Sequence, residues 1–187
     1  MNIINTPLPG LIVIEPQVFG DSRGFFTETY HCERYSEVGI KQPFVQDNHS
    51  RSSKGVLRGL HYQLEHPQGK LVRVTRGEVL DVAVDIRQGS PTFGRSYSHI
   101  LNEQNHHQMY VPPGFAHGFC VLSDVVDFVY KCTDYYHPES EKGLAWDDPD
   151  IGIDWPAMDF TISDKDRVNP LLKDVADKDL PIYQGEA

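Results

Sequence analysis

The sequence predicts an all-β protein, a sandwich or jelly-roll barrel with a few short peripheral helices. Three observations carry that expectation: short β-rich runs recur along the chain, turn residues separate them, and little helical periodicity lies between. The 187 residues, 39% of them hydrophobic, are one domain's worth of chain, because single cores run to about 100–200 residues. One unit spanning 1–187 is therefore expected, and charged residues at 24% exclude a disordered or collagen-like chain.

The first runs lie at 11–15 and 25–30, followed by a two-turn helix over 32–38 that Gly39 stops. Residues 71–75 form the next run. Beyond Gly77, Leu80, Val82, Val84 and Ile86 alternate with Asp81, Ala83 and Asp85, the period-two signature of a strand with one face in a core. After the Gly89-Ser90-Pro91 turn come 96–101, 108–111, 119–122 and 125–132, with turns at 112–114 and Ser123-Asp124. In the last run Val126, Phe128 and Tyr130 share a face and Lys131 lies opposite. A second helix is expected over 169–177, with Pro170 near its start. No strand leads into a Gly-x-Gly-x-x-Gly or Gly-Lys-Ser/Thr loop, which argues against Rossmann and P-loop nucleotide sites.

A formal net charge of −10 opposes binding to nucleic acid or an anionic membrane surface. Cys32, Cys120 and Cys132 are an odd set without a C-x-x-C pair, and the N-terminus has no basic segment followed by a long apolar stretch. A cytoplasmic protein with no signal peptide and no membrane span is expected. Between residues 51 and 76 the balance reverses, with Arg51, Lys54, Arg58, Lys70, Arg73 and Arg76 against Glu65 alone. Such a segment is either a solvated face or a pocket for an anion such as a phosphate.

Arg58-Gly59-Leu60-His61-Tyr62-Gln63, followed by Gly69-Lys70, lies inside that segment. As a strand it puts His61 and Gln63 on one face, and a turn through 66–69 brings Lys70 toward His61 on the neighbouring strand. An imidazole beside an ammonium group suits proton abstraction better than it suits a core. Pro112-Pro113-Gly114-Phe115-Ala116-His117 fits a P-x-G-x-x-H turn and resembles the cupin superfamily, a double-stranded β-helix of the jelly-roll type. In metal cupins that histidine joins an H-x-H pair. Here His61 occupies the first position, Gln63 the second, and Lys70 puts a positive charge nearby, so the resemblance implies a cupin without its metal. Ser163-Asp164-Lys165-Asp166 reads by itself as an N-cap or polar turn.

Together with Asp21-Ser22-Arg23-Gly24-Phe25-Phe26, Gln46-Asp47-Asn48-His49-Ser50, Tyr130-Lys131-Cys132-Thr133 and Trp146-Asp147-Asp148-Pro149, these stretches resemble the dTDP-4-dehydrorhamnose 3,5-epimerases over nearly the whole chain. The resemblance implies a cofactor-free isomerase acting on a dTDP-linked 4-keto-6-deoxy sugar, in the route to dTDP-L-rhamnose for bacterial surface polysaccharide. His61 would remove the proton, and Asp166 would hold the imidazole, with Asp164 two residues earlier as the alternative partner. Lys70 would stabilise the enolate at C4, and Tyr130 would return a proton from the opposite face. Arg58 would bind the diphosphate, with Arg23 and Lys165 assisting. Glu28, Gln46, Asp47, Asn48, His117 and Glu141 would handle substrate, and Phe19, Phe26 and Phe119 are stacking or packing surfaces. The resemblance further implies a homodimer that exchanges N-terminal strands, for which the 11–30 run is available. The competing readings are a single-centre epimerase on a related sugar, a metal-dependent cupin enzyme, and a non-catalytic binding jelly roll.

Overall fold

The computed structural model describes residues 1–185. Thirteen strands are present: β1 (Asn2–Asn5), β2 (Ile12–Glu15), β3 (Val18–Asp21), β4 (Gly24–Thr27), β5 (Gln46–Ser53), β6 (Leu57–Gln63), β7 (Lys70–Arg76), β8 (Glu78–Asp85), β9 (Ser96–Asn102), β10 (Gln108–Val111), β11 (Phe115–Val121), β12 (Val125–Cys132) and β13 (Glu141–Gly143). Two short helices, α1 (Cys32–Glu37) and α2 (Asp164–Arg167), complete the regular structure with three 3-10 turns. The strands form a six-stranded sheet in the order β1-β2-β10-β7-β12-β5 and a five-stranded sheet in the order β13-β6-β11-β8-β9. All pairings within them are antiparallel, and the two sheets make the expected jelly roll.

The main core lies between the sheets, where Val72, Val74, Val79, Leu101, Met109, Val121, Val126 and Phe128 meet. Each such side chain contributes about 1.5–3 kcal/mol by leaving water. Outside the five-stranded sheet the C-terminal stretch brings Leu144, Ile151, Leu172 and Leu180 onto Leu60, Tyr62, Val82, Val84 and Ile86. On the other flank Tyr35 of α1 is buried against Ile14, Leu71 and Tyr110, and its hydroxyl donates to Gln108 Oε1 at 2.8 Å. The helix ends where the sequence places its stop, at Gly39, whose φ is +100°.

Several expectations need correction. The second helix over 169–177 is absent, leaving a 3-10 turn at Leu172–Asp174. Its backbone is bound elsewhere: Leu172 N donates to Asp148 Oδ2 at 2.7 Å, and Pro170 O accepts from Ala145 N. The face of β8 that carries Asp81 and Asp85 is not solvated, because both residues are fully buried and β8 is covered on both sides. Lys70 does not neighbour His61 in a sheet. It starts β7 in the six-stranded sheet, whereas β6 belongs to the five-stranded one.

Two glycines bring β6 and β11 into backbone contact beside the histidines. His117 pairs with His61 but Phe119 pairs with Arg58, so β6 carries one extra residue there, a bulge that re-aims the strand. A Cβ on Gly118 would lie 2.5 Å from the Arg58 carbonyl oxygen, and one on Gly59, whose φ is +120°, 2.5 Å from Gly118 Cα. The substitution Gly118→Ala is accordingly expected to cost about 1–3 kcal/mol, seen as a fall in melting temperature of roughly 2–4 °C per kcal/mol. An unchanged melt would show that the two strands can part freely.

Candidate active site

Each sheet supplies one wall of a cavity of about 350 Å³. From the five-stranded sheet come His61 and Gln63 of β6, His117 and Phe119 of β11 and Glu141 of β13; from the six-stranded sheet come Gln46, Asn48 and Ser50 of β5, Lys70 of β7 and Phe128 and Tyr130 of β12. Strand alternation explains the β5 contribution. Gln46, Asn48 and Ser50 are half-buried while Asp47, His49 and Arg51 are exposed.

His61 Nε2 lies 2.6 Å from Asp166 Oδ1, and the other carboxylate oxygen accepts from Gly59 N at 3.4 Å. Asp166 reaches this position because Ser163 caps α2, its hydroxyl accepting from Asp166 N at 3.1 Å. Burial acts to raise the Asp166 pKa, but the hydrogen bond from His61 and the neighbouring charge, amide and hydroxyl outweigh it, holding the carboxyl below the ordinary aspartate value. With that carboxylate as acceptor, Nε2 of His61 carries the proton and Nδ1 keeps the lone pair. Asp164 is exposed, so the alternative pairing is not formed. Opposite His61 in register, His117 has its own carboxylate: Nε2 lies 2.9 and 3.1 Å from the two oxygens of Asp81.

The two cations of the pocket have no such partner. Arg58 donates to the Ser52 hydroxyl at 3.2–3.3 Å, and among the described residues no carboxylate lies within ion-pair distance of Arg58 or Lys70. Burial lowers the Lys70 pKa, opposed by charge on Cys132, Glu141 and Asp81. Burial also raises the Tyr130 pKa, which keeps its phenol protonated at neutral pH. The ring of Phe119 stacks on Phe128 with centroids 4.2 Å apart, forming the apolar side of the cavity.

Gln63, at the position of the second metal-cupin histidine, has both ends of its amide engaged. Nε2 donates to the carbonyls of His66 and Tyr135 at 2.7 and 3.2 Å, and Oε1 accepts from His137 N at 2.8 Å. Its role is to tie two loops together.

Not every predicted residue lines this cavity. Asp47 points to the outer face of β5 and pairs with Lys131 at 2.8 Å, a consequence of the same alternation that turns Gln46 and Asn48 inward. Phe19, Arg23 and Phe26 sit on the separate β3-β4 hairpin, where Arg23 pairs with Asp21 and the two rings are exposed. Glu28 follows it and pairs with Arg34. Lys165 stays outside but pairs with Glu141, whose carboxylate also accepts from the Tyr136 hydroxyl at 2.9 Å. Sequence reasoning missed Ser50, Gln68, Tyr136 and the His117 partner Asp81. Alternation along β5 from Gln46 would have found Ser50; the period-two pattern of β8 gave no sign that the face carrying Asp81 lines the interior.

Replacing Asp166 by Asn should keep the hydrogen-bond shape but remove the charge that holds His61 in its basic tautomer. Catalysis is expected to drop by about 10²-fold or more, the range over which acid–base groups act. Because the folded-state pKa of Asp166 is depressed, its stabilising contribution is present above the unfolded value near 3.9 and is lost as pH falls through the folded one. The stability gap between the wild type and Asp166→Asn should therefore close below about pH 4. A gap that persists in acid, or unimpaired turnover, would contradict the assignment.

A family model described as dTDP-4-dehydrorhamnose 3,5-epimerase matches residues 5–174. A Shigella flexneri protein of that description is 55% identical over 168 residues, 89% of this chain and 93% of its own. One from Neisseria gonorrhoeae is 60% identical over 156 residues, 83% of this chain but 48% of its own length, so the chain spans about half of that relative. The crystal structure of a dTDP-6-deoxy-D-glucose-3,5-epimerase from Legionella pneumophila in complex with dTDP-4-keto-L-rhamnose superimposes with a TM-score of 0.96 at 56% identity, covering 98% of this chain and 99% of that one.

Proposed function

The chain belongs to the dTDP-4-dehydrorhamnose 3,5-epimerase family, and from that premise we propose how its residues divide the work. The reaction is an isomerisation, inversion at C3 and C5 of a dTDP-linked 4-keto-6-deoxyglucose to the L-rhamno configuration. The C4 ketone acidifies the hydrogens on both neighbouring carbons, so each centre needs only a base on one face and an acid on the other.

His61 is the base, acting through Nδ1 while Asp166 holds Nε2. Removing the proton drives charge onto the C4 oxygen, and Lys70, half-buried in the cavity wall and without a carboxylate partner among the described residues, stabilises the enolate. Tyr130, a neutral phenol on the opposite sheet, returns the proton from the other face. The single observation that carries this reading is the placement of a carboxylate-bound imidazole and a protonated phenol on opposing walls with an unpaired ammonium in the same cavity. Arg58, held only by Ser52, is the anchor for the diphosphate. His117, fixed by Asp81, and Gln46, Asn48 and Glu141 orient the sugar and base.

The β3-β4 hairpin supports a homodimer. It pairs with neither sheet and exposes Phe19, Phe25 and Phe26, an apolar patch of the kind that marks an interaction surface. In that assembly Arg23, Glu28, Phe19 and Phe26 serve at the pocket of a second copy. Among the described residues no helix is long and apolar enough to cross a membrane, and three free cysteines fit a reducing cytoplasm.

His61→Ala is expected to abolish exchange of substrate hydrogens with deuterated solvent while nucleotide binding persists. Tyr130→Phe should still exchange deuterium but epimerise poorly. Equal loss of both processes in Tyr130→Phe would reduce the tyrosine to a structural part, and exchange in His61→Ala at the wild-type rate would remove the base. Sedimentation of the full chain should give twice 21.2 kDa; a mass of 21.2 kDa would exclude the dimer.

A further inference from the structure

Two loops outside the cavity bring together a set of side chains that the epimerisation does not use. His66 lies in the turn between β6 and β7, and Asp134 and His137 lie between β12 and β13. One ligand atom from each falls within 4.8 Å of the others, and none of the three lines the reaction cavity. His66 Nδ1 is 3.6 Å from Asp134 Oδ2, and the two imidazoles stack with centroids 3.9 Å apart and planes 15° apart.

The surrounding chemistry favours metal ligation over a chance cluster. His137 Nδ1 lies 3.0 Å from Glu139 Oε1, the carboxylate–histidine arrangement that fixes the tautomer and leaves Nε2 as the free donor. The backbone beneath is braced from the cavity wall, since Gln63 binds the main chain of His66 and His137 and Gln68 Nε2 donates to Asp134 O at 2.9 Å. His66 has a φ of +55°, a conformation that costs a non-glycine residue energy, and its side chain, stacked on His137 alone among the aromatic rings, is still 51% exposed.

We propose that His66, Asp134 and His137 form a binding site for a divalent transition ion of the zinc, cobalt and nickel class, completed by water. Two imidazoles and one carboxylate are the donor set those ions prefer over magnesium or calcium. A tetrahedral ion about 2.0–2.1 Å from each donor spaces the donors roughly 3.3 Å apart. The His66–Asp134 pair is already near that spacing, and rotation of an exposed imidazole closes the rest. An ion held there braces the two segments that carry Gln68 and Tyr136 to the cavity mouth. It takes no part in the proton transfers at His61.

The test is a titration of the untagged full chain with Co²⁺, followed by its visible absorption, with Zn²⁺ as competitor. The site predicts one Co²⁺ per chain, displaced by Zn²⁺. His66→Asn, which tolerates the left-handed backbone, and Asp134→Asn and His137→Gln should each weaken binding at least tenfold with unchanged circular dichroism. Co²⁺ affinity should be unaltered in His61→Ala. Should one histidine variant fail to fold, Asp134→Asn alone decides. Absence of binding at millimolar Co²⁺, indifference to all three substitutions, or loss on His61→Ala would each overturn the proposal.

Discussion

The hydrogen bond between His61 and Asp166 joins two parts of the chain that are 105 residues apart, and the arrangement of the site depends on it. His61 belongs to the barrel wall; Asp166 arrives on a four-residue helix carried by the C-terminal stretch. That stretch is held by its own core, in which Ile151, Leu172 and Leu180 cover the outer face of the five-stranded sheet. Packing on the outside of the sheet thus fixes a carboxylate at its inside edge. The second core therefore serves the imidazole as well as stability, and loosening it should disturb the His61–Asp166 hydrogen bond before it unfolds the barrel.

The second governing constraint is charge. The protein is acidic overall, yet among the described residues the cations that face its cavity, Arg58 and Lys70, lack carboxylate partners, while Arg51, Arg87 and Lys131 have them. A half-buried ammonium such as that of Lys70, with no counter-ion among the described residues, carries a desolvation cost, and the cost is offset when an anion enters. In the proposed function a nucleotide diphosphate at Arg58 and an enolate oxygen at Lys70 would supply those anions. The same positive field, with Gln63 committed to backbone on both sides of its amide, makes the position of the missing cupin histidine a structural joint.

Most of the barrel was legible because its strands have one apolar face. Two strands show where legibility ended. Strand β5 presents Gln46, Asn48, Ser50 and Ser52 inward, so its polar inner face looks like loop to a hydrophobic pattern when it is a wall of the cavity. Strand β8 alternates as expected, but its polar side faces the interior, where Asp81 holds His117 and Asp85 holds Arg87. Period two reveals that two faces differ and not what covers each. Of the site, the His61 and Lys70 positions were singled out by their local motif, and Tyr130 and Asp166 only through the resemblance. Their distribution over opposing sheets was not readable, because a turn of six residues between β6 and β7 crosses from one sheet to the other. The C-terminal helix failed for a related reason, its backbone groups being claimed by Asp148 and Ala145.

The central claim is that one metal-independent base–acid pair serves both carbons. Proton NMR of the full chain with dTDP-4-keto-6-deoxyglucose in deuterated water, chelator present, reads this directly. The signals at C3 and C5 should both disappear, and a reductase should trap the rhamnose-configured product. Retention of either signal, or exchange that stops with chelator, would contradict the claim.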